Sequence, residues 1–132
     1  MISSTHRFHG RSSLRYVYQH GTQIRGDLVS LRAVRNKRQK TWRVAIAVSR
    51  KVNKSAVVRN RIRRRIFEVV RHHTALIKEP YDLVFSVYSD QAANLDQQSL
   101  EKAIVDRLSK IESLTKAKSY SNHAIVDNKE TK

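Results

Sequence analysis

The sequence predicts an α/β (α+β) protein: a two-layer sandwich in which helices lie on one face of a mixed central sheet. Two observations carry this. Residues 27–35, 42–49 and 81–89 are short apolar runs suited to strands, whereas residues 53–80 and 96–111 repeat apolar side chains at helical spacing. With an N-terminal helix, the patterns follow the order α-β-β-α-β-α, with a further short strand near residues 22–25 and no internal repeat. Such a mixture packs helices against a sheet.

The first helix is expected from Ser12 or Ser13, as N-cap, to about His20, with Leu14, Val17 and Tyr18 sharing a face. Gly21 follows as its C-terminal stop. In residues 27–35 (DLVSLRAVR), Val29, Leu31 and Ala33 point one way, and Leu28, Ser30, Arg32 and Val34 the other. In residues 42–49 (WRVAIAVS), Val44, Ile46 and Val48 oppose the small Ala45, Ala47 and Ser49. The short basic link 36–40 between these strands predicts a hairpin, and Trp42 reads as core. The longest helix should start near Asn53 or Ser55 and run towards Pro80, which cannot continue it. Its apolar stripe is Val58, Ile62, Ile66, Val69, Leu76 and Ile77; Asn60, Arg63, Arg64, Phe67 and Arg71 fall on the other side, beside Arg61 and Glu68. After strand 81–89, Asp96 caps a last helix with Leu100, Ala103, Ile104, Leu108 and Ile111 inward. We expect one domain over residues 7–114, a flexible arm at 1–6 and a disordered tail at 115–132, where apolar content is low.

Charge narrows the function. Against 11 acids stand 27 Lys and Arg, for a net charge of +16, a self-repulsion that a polyanion would relieve. No apolar run approaches the ~20 residues of a spanning helix, the first ten residues lack the apolar stretch of a signal peptide, and there is no Cys for disulfides or thiolate chemistry. A cytoplasmic nucleic-acid partner is expected, not a membrane. The charge concentrates between positions 50 and 71, in Arg50, Lys51, Lys54, Arg59, Arg61, Arg63, Arg64, Arg65 and Arg71, against the single acid Glu68. A merely solvated face normally alternates signs, and this one does not. Arginine's planar fork suits phosphate, and Lys51 and Lys54 sit where a helix N-terminus already favours anions. Phe67, among these arginines, either stacks on an unpaired base or packs on the protein.

Other chemistries find little support. A metal-dependent nuclease gathers carboxylates around its cations, but Asp27, Asp82 and Asp90 are spread over strand ends. His6, His9, His20, His72, His73 and His123 show no ligand spacing, and the scattered Gly10, Gly21 and Gly26 make no phosphate loop. A DNA-binding helix-turn-helix lacks its preceding helix, since Asn53 follows a strand; no DNA partner is expected.

Residues 43–64 (RVAIAVSRKVNKSAVVRNRIRR) resemble the signature of the bacterial ribonuclease P protein subunit: a strand, a basic loop, then Ala-Val-x-Arg-Asn-Arg-x-Lys-Arg opening a helix. Ala56-Val57-Val58-Arg59-Asn60-Arg61-Ile62-Arg63-Arg64 follows it with Arg63 for the usual Lys. His20-Gly21-Thr22 fits the family's helix-to-strand junction. The resemblance implies a protein that assists a catalytic RNA in cutting the 5′ leader from precursor tRNA. The chemistry, with its Mg2+, would lie in the RNA, and the protein would bind no cofactor stably and contribute no catalytic residue. It implies catalytic-RNA contacts at Lys51, Arg59, Asn60, Arg61, Arg63 and Arg64, flanked by the basic Arg50 and Lys54. It also implies a leader cleft at Leu14, Tyr18, Arg32, Ala45, Ala47 and Ser49. This chain has Phe67 where the family often has arginine, Leu14 for a cleft aromatic and Arg32 for a strand tyrosine of some members. The competing expectation is a structural RNA-binding module of ribosomal type, which needs only the basic helix.

Overall fold

Alternation along the strands gives the sheet two unequal faces, and the computed structural model, which describes residues 6–8, 11–36 and 38–111, places a different set of helices on each. The expected tail and residues 1–5 of the expected arm lie outside the described residues. The elements are α1 (Arg11–His20), β1 (Thr22–Ile24), β2 (Val29–Arg35), β3 (Arg43–Ala47), α2 (Ala56–His72), β4 (Tyr81–Val87) and α3 (Gln97–Ser109). Single 3₁₀ turns at Thr74–Leu76 and Asp90–Ala93 follow α2 and β4.

The strands lie in the order β1-β2-β4-β3. β1 with β2, and β2 with β4, are antiparallel, whereas β3 runs parallel to β4. The expected hairpin between β2 and β3 is therefore absent, because β4 lies between them. Six of its seven residues are buried, as a strand covered on both faces requires. The link from β2 passes over the start of β4, where the Asn36 N–H donates to the Pro80 carbonyl at 2.8 Å. Parallel neighbours cannot be joined by a tight turn, so α2 makes the crossover from β3 back to β4.

This crossover also explains why α2 ends at His72, well before Pro80. Seventeen helical residues span about 25 Å, already the length of a seven-residue strand at about 23 Å. His73 leaves the helix at φ −127°, and Ile77 then turns into the core. At the other end Ser55 caps α2, its Oγ accepting from the Val58 N–H at 3.3 Å. Asp96 caps α3 as expected, accepting from the Ser99 N–H at 2.9 Å. α1 begins at Arg11, so Ser12 and Ser13 sit inside its first turn and not ahead of it. Gly21 admits no side chain: a Cβ there would stand 2.5 Å from the Val17 carbonyl oxygen.

On one face Leu31, Val44, Ile46, Leu83 and Phe85 form the main core with Ile62, Ile66, Val69 and Val70 of α2 and Leu100, Ile104 and Leu108 of α3. α2 and α3 make the expected sandwich with the sheet. α1, expected on the same face, instead crosses the opposite one, where Val17 packs with Phe8, Ala45 and Val84, flanked by Leu14 and Val34. Trp42 is buried, and His6 stacks on it with ring centroids 4.0 Å apart.

The buried Asp82 of β4 ties both neighbouring strands. Arg43 donates to its two carboxylate oxygens through Nε and Nη2, each at 2.9 Å, and Asn36 Nδ2 donates at 2.7 Å. The bond to Asp82 raises the Arg43 pKa above its ordinary value. Removing one partner of a buried pair leaves the other charge uncompensated. Arg43→Ala should therefore lower the unfolding free energy by about 3 kcal/mol, while Asp82→Asn, which leaves no uncompensated carboxylate, should cost less. Urea melts followed by circular dichroism check the order, and equal losses would put the energy elsewhere.

Candidate nucleic-acid interface

Most cations of α2 and of the turn before it fall into two groups, one held by the fold and one facing outward. The first group braces the fold. Arg59 Nη1 donates to the carbonyls of Asn53 at 3.0 Å and Lys54 at 2.8 Å, closing the loop that enters the helix. Arg63 donates through Nε and Nη2 to the carbonyls of Ile46 and Val48, both at 3.3 Å, and through Nη1 to Asn60 Oδ1 at 2.8 Å. Burial, and then the neighbouring Arg59, lower the Arg63 pKa from its ordinary value. Arg65 reaches the Ala92 carbonyl at 2.8 Å and that of Leu95 at 2.5 Å. These arginines satisfy carbonyls at strand and turn ends, which helix or sheet pairing leaves open.

The second group faces outward. Arg50, Lys51 and Lys54 are exposed on the turn between β3 and α2, and Arg64 is exposed on the helix. None of the four has a side-chain hydrogen bond or ion pair among the described residues. Arg61, also exposed, makes one long contact to Asn94 Oδ1 at 3.4 Å. Glu68, the lone acid of the helix, is engaged by Arg71, whose guanidinium holds its carboxyl down to about 2. The outward set therefore keeps its charge and its hydrogen-bond donors available to a polyanion.

Phe67 is buried at 7 % exposure. Its ring belongs to the main core, and it lines a shallow depression of about 490 Å³ with Arg7, Val57, Asn60, Arg63 and Arg64. The helical wheel set Phe67 off the apolar stripe, but the covered arc of α2 also takes in Val70. Val57, 74 % exposed, and Arg7 were not singled out from the sequence.

The expected leader residues divide between covered and open parts of the α1 face. Ala45 lies beneath α1 and is closed to solvent, and Leu14 packs beside it. Ala47 and Ser86 are half-buried and Ser49 is exposed, so they form the open part. Tyr18 stands at its border, 40 % exposed, with its hydroxyl 3.1 Å from Ser86 Oγ. Arg32 Nη1 donates to the Tyr18 carbonyl at 3.2 Å, and its guanidinium lies over the Tyr18 ring, 5.4 Å from the centroid. The pair is an aromatic surface with a cation fixed beside it. Tyr88 lies on the same side of the sheet and was not picked out either; continuing the alternation of β4 by one residue beyond Val87 would have found it.

The basic helix opening, the crossover topology and the partly open sheet face occur together in known proteins. A family model described as Ribonuclease P matches residues 2–112. The chain belongs to this family. Among curated relatives, the "Ribonuclease P protein component" of Clostridium novyi is 33% identical over 108 residues, covering 81% of this chain and 94% of the relative. That of Pseudanabaena is 31% identical over 87 residues, covering 66% and 75% respectively. The solved ribonuclease P protein of Thermotoga maritima superposes with a TM-score of 0.71 at 19% identity, over 80% of this chain and 96% of that one. The protein from Staphylococcus aureus superposes at 0.69 with 21% identity, over 83% and 96%. At these identities the likeness speaks for the fold, and it places this mixed sheet and its helices among ribonuclease P proteins.

The division among the arginines predicts separable effects. Arg64→Ala should leave the melting temperature unchanged while weakening RNA binding. Arg63→Ala should cost about 1.5–3 kcal/mol of stability, because it strips charged hydrogen bonds from two carbonyls and from Asn60. Thermal melts beside filter binding to RNA test both, and a destabilised Arg64→Ala would mean that its side chain also braces the fold.

Proposed function

We propose that this chain assists a catalytic RNA in removing the 5′ leader from precursor tRNA, gripping that RNA through the start of α2 and the leader through the groove between α1 and the sheet. As a member of the ribonuclease P protein family, it works within an endoribonuclease that has an RNA partner. The observation that carries the finer reading is the outward set Arg50, Lys51, Lys54, Arg61 and Arg64, unmatched by acids, beside arginines already held by the fold.

The protein's contribution is electrostatic and positional. Cations at the N-terminus of α2 add to the backbone N–H groups there, which already favour anions. They offset the repulsion between the catalytic RNA and its tRNA substrate. Arg59, Asn60 and Arg63 interlock with the loop and the end of β3, so the outward side chains are presented from a rigid base. Bond cleavage is assigned to the RNA and its Mg2+. Among the described residues, no group of three or more His, Asp or Glu side chains stands together as a metal site. We place the complex in the cytoplasm; among the described residues, no helix is long and apolar enough to cross a membrane.

On the sheet side, Tyr18 offers a base a stacking surface and Arg32 offers its phosphate a cation. Stacking of this kind is worth roughly 1–3 kcal/mol per base and tolerates any sequence. Leu14, turned into the small core under α1, supplies no ring. Between Tyr18 and Arg32 alone, we assign leader holding to phosphate more than to bases.

The deciding experiment is reconstitution. Purified protein alone should not cleave precursor tRNA, and adding the catalytic RNA at low magnesium should restore cleavage. Cleavage by RNA-free protein that survives repurification would overturn the assignment. Binding of the catalytic RNA should fall with salt at a log–log slope on the order of −4, if each of the five outward cations displaces counterions at one phosphate. A flat plot would reject the basic surface. Tyr18→Ala should weaken binding of the holoenzyme to precursor tRNA but not to mature tRNA. Equal losses would remove Tyr18 from the leader path, and an RNA-binding protein without any such preference would fit a structural module instead.

A further inference from the structure

We propose that Tyr88 is a second base-stacking residue of the leader groove, paired with Tyr18 across two opposed serines that each hold one phenol; this rests on the leader reading given above. Asp82, Val84 and Ser86 alternate onto the α1 face of β4, and Tyr88 continues the same alternation one residue past the strand. Its backbone N–H still pairs with the Leu28 carbonyl at 3.0 Å, so the sheet geometry holds to this point. The side chain is 53 % exposed, yet its hydroxyl is anchored 2.6 Å from Ser30 Oγ, and Ser30 is only 2 % exposed.

Ser30 and Ser86 face each other directly in the β2–β4 ladder. Each binds one phenol: Ser30 holds Tyr88, and Ser86 holds Tyr18 at 3.1 Å. Directly opposed antiparallel residues have Cα atoms about 5 Å apart. Two tyrosine tips are thereby fixed on neighbouring strands of one face while their rings stay accessible. A ring tethered at its tip has little freedom left to lose when a base stacks on it, which favours binding.

The surroundings favour one single strand as occupant. Bases in a duplex hide their flat faces, whereas an unpaired strand presents each face to an aromatic ring. Arg32, two residues from Ser30 on the same face, supplies a cation over the Tyr18 ring. Because β3 and β4 are parallel, Tyr88 lies at the end of the sheet where β3 gives way to Ser49, Arg50 and Lys51. A strand crossing both rings thus approaches the basic entrance of α2. With both hydroxyls engaged by serines, the rings offer bases their faces and little hydrogen-bond readout, so sequence tolerance follows.

The test uses the reconstituted holoenzyme and precursor tRNAs with long leaders, either natural or abasic at successive positions. Tyr88→Ala should weaken binding of the natural precursor on the order of tenfold, leave mature tRNA binding unchanged, and lose its effect when the base at one leader position is removed. Tyr88→Phe, which keeps the ring but drops the bond to Ser30, should stay near wild type. Equal weakening by Tyr88→Ala and Tyr88→Phe would reassign the residue to bracing Ser30. Loss on mature tRNA, or no loss at all, would also overturn the proposal. Tyr18→Ala separates the two readings: a selective loss there without one at Tyr88 keeps the groove and rejects Tyr88, whereas no loss at either rejects the groove. In the wild-type holoenzyme, free of any folding defect, 2-aminopurine scanned along the leader should be quenched at two positions; one quenched position would reject the second ring.

Discussion

β3 and β4 run side by side in the same direction, and a parallel pair cannot be closed by a short turn. The chain must leave the end of β3, travel the length of the sheet and re-enter beside its own starting point. Helix α2 is that return path. Its N-terminus consequently stands at the carboxyl end of β3, where the last strand carbonyls have no ladder partner. Arg63 fills that gap at Ile46 and Val48, and Arg59 closes the loop that precedes it. The topology thus decides where the most basic part of the molecule sits, and the arginines hold it there.

The same helix braces the fold and, in the function proposed above, serves recognition with one residue type. An arginine whose guanidinium is shared between backbone carbonyls remains positive, so the bracing side chains still add to the surface potential that draws a polyanion in. In the function proposed above, the outward residues provide the contacts themselves. A net charge of +16 would work against compaction if every cation were merely solvated. Here part of that charge is spent on capping strand and turn ends, and the main core lies directly beneath.

Much of this was legible in the sequence because it is local. The apolar alternation of β2 and β3, the cap at Ser55, the cap at Asp96 and the Arg-Asn-Arg helix opening all depend on neighbours within a few residues. The β2–β3 hairpin was misread because the partner of both strands, β4, lies far along the chain, and no local pattern encodes its insertion between them. The early end of α2 was hidden for a related reason: the length of the strand it must span, and not a breaking residue, stops it. Phe67, open in the sequence between base stacking and packing, packs on the protein; a helical wheel assumes a single contact direction, whereas α2 also buries Val70. The bracing roles of Arg63 and Arg65 needed positions of distant carbonyls, and the pairing of Tyr88 with Tyr18 needed the register of Ser30 against Ser86.

The chain just before α1 has a protective effect of its own. In the strand order β3 is an edge, and unpaired strand edges are adhesive, inviting another molecule to add itself to the sheet. Arg7 forms a parallel bridge with Val44, and the Phe8 N–H donates to the Val44 carbonyl at 3.3 Å, so a short stretch of this chain occupies the edge and brings a charged residue to it. The opposite edge, β1, is only three residues long. Neither side offers a long bare template for aggregation. A small, highly charged protein synthesised apart from its polyanion gains from this, since its sheet has little room to pair with a stranger before its partner arrives.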